Sequence, residues 1–131
     1  LDSGYAEPEP DVMLHLGSGS RHLPLARIVA ASIAARTGFD MTAVADFKLA
    51  VDETCAMLMN LAAPGGAVEC RFAIDGPSIR FGASVQADDA VAIDQSGVGW
   101  TLMTSLADDV TTESRDDGEG TLICIDMRAT P

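Results

Sequence analysis

An α+β fold, with helices on one face of a mixed, mostly antiparallel sheet, follows from three features of the sequence. Two apolar patterns of helical period adjoin each other over residues 22–37 and 40–62. The period then changes to two over residues 68–85, on either side of Asp75-Gly76-Pro77. A short apolar run precedes the helices, and one more helical segment and two more strands follow the hairpin. Runs of helices and hairpin strands, rather than a strict alternation of the two, predict a two-layer sandwich.

Each element has its own signals. Residues 1–10 carry three acids and two prolines without periodicity and read as a loose tail, leaving 11–131 as one domain. Val12-Met13-Leu14-His15-Leu16 reads as a strand that Gly17-Ser18-Gly19-Ser20 stops. His22 to Thr37 reads as a helix with Pro24 in its first turn and Gly38 at its end. Leu25, Ile28, Val29 and Ile33 are its expected buried stripe. Asp40 is the expected N-cap of the longest helix, which runs to about Ala62 and ends at Pro64-Gly65-Gly66. Val44, Phe47, Val51, Cys55 and Leu58 form its apolar stripe; Asp46, Glu53 and Asn60 fall off it.

Val68, Cys70, Phe72 and Ile74, then Ile79, Phe81, Ala83 and Val85, alternate as a hairpin with one buried face. Gln86 to Ser96 lack a pattern and read as a loop. Gly97-Val98-Gly99 opens a helix expected from about Trp100 to Asp109. A strand over Val110–Ser114, a turn at Asp116-Asp117-Gly118 and a strand over Thr121–Arg128 complete the chain.

Composition narrows the function. The chain has 131 residues, 47% of them hydrophobic, which is enough for a core without a metal or disulfide staple. Its 20 acidic against 8 basic residues give a net charge of −12. That balance argues against binding a nucleic-acid backbone or an anionic membrane surface, and suits a basic or neutral partner. No apolar run approaches a bilayer span, and no basic segment leads into an apolar one, so neither an anchor nor a signal peptide is expected. Cys55, Cys70 and Cys124 have no metal-ligand spacing and read as buried small hydrophobes in a reducing, cytoplasmic setting. His15 and His22 lack partners at ligand spacing. The six acids between Asp108 and Glu119 lack the calcium-loop register and read as a charged rim.

Three features point to chemistry. Gly97 and Gly99 allow close backbone approach, and a helix start presents free N–H groups to an anion, although glycines there are more often just a turn. Glu53, off the apolar stripe, is placed to act on a water or hydroxyl, although such a position is more often a solvated helix face. Thr121, after Gly120, offers a hydroxyl at a strand start, where an ordinary β-branched residue is the commoner reading.

Their order along the chain is more specific than any one of them. Leu49-Ala50-Val51-Asp52-Glu53-Thr54-Cys55 is followed by a hairpin, then by Gly97-Val98-Gly99-Trp100 through Leu106-Ala107-Asp108-Asp109-Val110, then by Gly120-Thr121. From about Val12 to Arg128 the chain resembles the histidine-kinase-type (GHKL) ATPase domain. It is most similar to the branch of bacterial anti-sigma factors that are also serine kinases, the RsbW and SpoIIAB type. The Leu-Ala-Asp-Asp-Val run is fairly specific to that branch, and Ala-Val-Asp-Glu is similar to its actinobacterial, stress-response members.

The resemblance implies ATP or ADP held between the long helix and the glycine pair. It implies a sigma factor as partner, an anti-anti-sigma factor as kinase substrate, and a homodimer. By position it assigns Glu53 to activating the attacking hydroxyl, Gly97 and Gly99 to the phosphates, and Thr121 to the adenine. Asp88 stands near the position of the adenine-reading aspartate. Four departures count against catalysis. Met57 occupies the position of the Asn that would ligate Mg²⁺, and a thioether is a poor ligand for a hard cation. Asn60 lies roughly 60° around the helix from it. Gln86-Ala87-Asp88-Asp89-Ala90-Val91 lacks the glycines of the first nucleotide box. Trp100 replaces a Leu, and the single lysine, Lys48, is placed poorly for a phosphate clamp. Phosphoryl transfer relies on positioning and metal neutralisation. The sequence therefore predicts a sigma-binding protein with a degenerate nucleotide site. An active serine kinase and an unrelated binding role on the same fold are the alternatives.

Overall fold

The computed structural model describes residues 9–17, 19–88, 92–116, 118 and 120–131. The tail expected over 1–10 lies almost wholly outside the described residues, as do Ser18, Asp89, Ala90, Val91, Asp117 and Glu119 of the expected loops and turns. The elements run β1 (Val12–Leu16), a single 3-10 turn (Ser20–His22), α1 (Leu23–Thr37), α2 (Met41–Leu61), β2 (Val68–Asp75), β3 (Ser78–Ala87), α3 (Val98–Leu106), β4 (Asp108–Asp116) and β5 (Thr121–Ala129).

The five strands form one open sheet in the order β1-β2-β3-β5-β4. All four pairings are antiparallel, so the α+β expectation holds and the sheet is antiparallel throughout the described strands. One face is covered by the helices. Phe47 of α2 is the centre of that interface, with ring centroids 6.2 Å from Phe72 and 6.3 Å from Phe81, and Phe39 6.4 Å away on its other side. The opposite face is polar, as a solvated antiparallel face should be. Arg71, Arg80, Ser84, Glu113, Arg115 and Asp126 line two grooves there, of about 840 and 540 Å³.

Local signals explain the helix boundaries. Asp40 caps α2, its Oδ1 accepting from the Ala43 N–H at 2.8 Å. Gly38 ends α1, where its N–H and that of Phe39 close on Ala35 and Ala34 carbonyls. The α2 stripe is buried largely as its spacing predicts, with Ala50 and Thr54 added.

Two expectations are corrected. The buried side of α1 is Leu23, Ala26, Ala30, Ile33 and Ala34, so of the expected stripe Ile33 is buried and Val29 packs partly on the core, while Leu25 and Ile28 turn outward. Leu25 and Ile28 are 52% and 61% exposed. Three alanines on one side let α1 sit close against its neighbours, and closeness outweighs side-chain size in choosing that face. The second correction is at α3, which starts at Val98 and ends at Leu106, with β4 beginning at Asp108. Asp108 pairs with Arg128 in the sheet, a bulge follows before Thr111, and Asp109 takes a left-handed φ of 51°. The Asp109 carboxylate, 3.0 Å from the Arg128 guanidinium, helps hold this break in place. The apolar run Val98–Leu106 satisfies helical period, but the Asp-Asp pair belongs to the strand.

Candidate functional site

Glu53 lies two-thirds of the way along α2, half-buried on the side facing α3. Gly97, with extended backbone, precedes α3 as its N-cap residue and supplies no side-chain cap. The first turn of α3 lies directly over Glu53. A Cβ added to Gly99 would stand 3.0 Å from Glu53 Oε1 and 3.7 and 3.8 Å from Met57 Cγ and Sδ. A side chain at 99 would therefore need the Glu53 carboxylate to give way by a few tenths of an ångström. Thr54 fastens the two helices below this point: its hydroxyl is directed at the Ala50 carbonyl, 2.8 Å away, and lies 3.0 Å from Met103 Sδ of α3.

Asp94 stands on the other side of the glycine pair. Its Oδ1 accepts from the Ser96 hydroxyl at 2.6 Å and the Ser96 N–H at 3.0 Å. These bonds hold its carboxyl below the ordinary carboxylate range. Asp94 Oδ2 lies 3.5 Å from where a Gly97 Cβ would be. Trp100 is half-buried in the next position and packs on the core.

Thr121 occupies a second corner. It is buried at the start of β5 and pairs with Ala87 in β3 and Asp116 in β4. Gly120 enters this strand with φ 133°, and a Cβ there would collide with the Ala87 carbonyl oxygen. Asp88 follows directly and is exposed. The Ala63 N–H donates to the Gln86 carbonyl at 2.8 Å, which ties the chain just past α2 to the same corner. The structure thus brings Glu53, Met57 and Gly99 together, and groups Thr121 with Asp88 by the end of β3. Asn60 is exposed.

Asp94 and the Thr54–Met103 link escaped the sequence reading. An Asp two residues before a Ser is a signal for a side-chain-closed turn and marks Asp94 in retrospect. Thr54 carried no such signal, because a hydroxyl within an apolar stripe reads as core.

Chemically, the start of α3 offers N–H groups to an anion, but carboxylates from Glu53 and Asp94 flank it. The group next to Glu53 at the glycine pair is the Met57 thioether, and among the described residues no three His, Cys, Asp or Glu gather at ligand distances.

The chain matches the family model described as histidine kinase-like ATPase domain over residues 18–127. It is 32% identical over 103 residues to the anti-sigma-F factor RsbW of Mycobacterium tuberculosis, in both strain CDC 1551 / Oshkosh and strain ATCC 25618 / H37Rv. The matched region covers 77% of this chain and 60% of each relative, so the chain spans about 60% of the length of the curated relatives it matches. The match runs from the turn after β1 to the last residues of β5, so it takes in the α2–α3 contact and the Gly120-Thr121 corner alike: the chain belongs to the histidine kinase-like ATPase domain family.

Proposed function

We propose that this chain acts as an anti-sigma regulatory protein: it binds and sequesters a sigma factor, and its nucleotide site has lost the means of running phosphoryl transfer. Likeness to anti-sigma-F factors supports the partner. The observation that carries the degenerate site is the setting of Gly99, which lies against Glu53 with a thioether where a hard cation would need an oxygen. Two carboxylates beside an anion site also oppose a triphosphate that has no metal to neutralise it.

The net charge of −12 steers such a protein towards a basic patch on its partner, with an on-rate that falls as salt rises. This role places it in the bacterial cytoplasm, in transcription regulation under stress; among the described residues no helix is long and apolar enough to cross a membrane.

Glu53 favours a second reading. Its carboxylate stands beside the glycine pair, as a general base for a partner's serine hydroxyl would have to. In that reading the chain is an ATP-dependent serine kinase acting on an anti-anti-sigma factor, and Glu53→Ala abolishes transfer.

The deciding experiment titrates the purified protein with ATP, with and without Mg²⁺, following Trp100 fluorescence and melting temperature. Co-purification with sigma factors runs beside it. The proposal expects a salt-sensitive sigma complex and no Mg²⁺-dependent response. A saturable Mg·ATP response, with phosphate appearing on a serine of a partner, replaces it with the kinase. Failure to retain any sigma factor removes the partner.

A further inference from the structure

Cys55 of α2 and Cys70 of β2 meet in the core. Their sulfur atoms are 3.6 Å apart, both residues are fully buried, and both thiols are free. A disulfide requires about 2.05 Å between sulfurs, so closing the bond needs an approach of about 1.6 Å. Cys124 is on the opposite face of the sheet, in the groove with Arg71 and Glu69, and does not compete for either partner.

We propose that Cys55 and Cys70 are a built-in oxidation site, which a small hydroperoxide converts to a disulfide in the folded protein, clamping α2 to β2. The inference stands on the sulfur geometry and does not depend on the proposed function.

The chemistry balances as follows. One of the two sulfurs attacks the peroxide O–O bond; an S–O bond forms, the O–O bond breaks, and hydroxide leaves to become water. The other sulfur then attacks the resulting sulfenic acid, forms the S–S bond and expels the second oxygen as water. Two thiols and one hydrogen peroxide give one disulfide and two waters; the sulfurs lose two electrons and the peroxide oxygens gain them. Either thiol can donate the contact between them, so the first attack is open to both.

Cys55 shares a turn of α2 with Glu53 and Met57, so a clamp there acts on the helix that carries the candidate site. The bridge would close a loop of only 15 residues of sequence separation, joining helix to sheet across the α2–β2 connection.

The test treats the reduced, folded full chain with hydrogen peroxide, alkylates what remains, and reads intact mass, a non-reducing peptide map and melting temperature. The expected result is loss of two hydrogens, a Cys55–Cys70 cross-linked peptide, an alkylated Cys124, and a melting temperature raised by roughly 5–10 °C that dithiothreitol reverses. Cys124→Ala retains all of this, whereas Cys70→Ala loses the cross-link. Because Cys70→Ala opens space in the core, its fold is checked by circular dichroism, and Cys55→Ala serves as the second variant. Oxygen adducts without a cross-link overturn the proposal. So do thiols that react only after denaturation, a bridge through Cys124, or a cross-link that lowers the melting temperature.

Discussion

Arg71 reaches across the open face of the sheet to Asp126, their closest charged atoms 3.6 Å apart, and the two side chains meet above Gly82 of the intervening strand. A Cβ at 82 would collide with Asp126 Oδ1 and lie 2.6 Å from Arg71 Nη2. Both obstacles are the ends of movable, partly exposed side chains. Gly82→Ala should therefore displace the ion pair and cost less than about 1 kcal/mol, seen as a shift of a few degrees at most in a thermal melt. Gly120→Ala is its counterpart. There the backbone φ is 133° and the obstacle is the Ala87 carbonyl, which has no rotamer to escape into. A loss of about 3 kcal/mol, roughly 10 °C, is expected. Equal melting temperatures for the two variants would contradict this distinction.

Phe47 joins the helical layer to the sheet through edge contacts with Phe72 and Phe81 and is almost wholly buried. Phe47→Ala should cost about 3–5 kcal/mol, and Phe47→Leu about 1–2 kcal/mol because most of the volume is retained. Urea denaturation of both variants measures the difference. An alanine variant losing under 1 kcal/mol would show that the aromatic cluster is not the structural centre.

Asp94 supplies a pH prediction. Its folded-state carboxyl is held below the ordinary range by Ser96, hydroxyl first and then backbone. The contribution to stability is therefore present above the unfolded carboxylate value, about 3.9, and is lost as pH falls through the lower folded value. An NMR titration of the side-chain carboxyl carbon should show Asp94 protonating below the unfolded carboxylate value of about 3.9 as acid is added. Ser96→Ala should return it most of the way; an unchanged titration in that variant would rule out the Ser96 bonds as the cause.

Met57→Asn tests the proposal that the nucleotide site is degenerate at this position. The side chain at 57 lies against Gly99, as the Glu53 carboxylate does, so an amide there would put an oxygen donor at the glycine pair. The variant should gain Mg²⁺-dependent ATP affinity of about tenfold, or 1.4 kcal/mol, in an isothermal titration. No gain would place the defect in the missing first glycine box instead.

Much of this was legible in the sequence because the strongest signals are local. Asp40 as a cap, Gly38 as a stop and the period-two hairpin each act over a few residues, and each stands where expected, except that Ile74 at the end of the alternation is 48% exposed. The α1 stripe holds at Ile33 but not at Leu25 and Ile28, because Ala26, Ala30 and Ala34, small enough for close approach, share the buried side. The end of α3 was misread because Asp108 and Asp109 are drawn into β4 by Arg128, far away in sequence. At the candidate site the order of Glu53, the glycine pair and Thr121 could be read from the chain. That Gly99 lies on Glu53 and Met57 could not, because no local pattern records a contact between two helices.

The position of β1 has a consequence during synthesis. Its five residues pair only with β2, Val12 opposite Phe72 and Leu16 opposite Val68, with both long helices between them in sequence. A ribosome adding about 5–20 residues per second leaves β1 without a partner for roughly 3–12 seconds. The hairpin, by contrast, has both its strands in hand almost at once. During synthesis pairing should therefore begin at the β2–β3 turn, β1 should join once β2 is available, and β5 and β4, made last, should complete the far edge of the sheet.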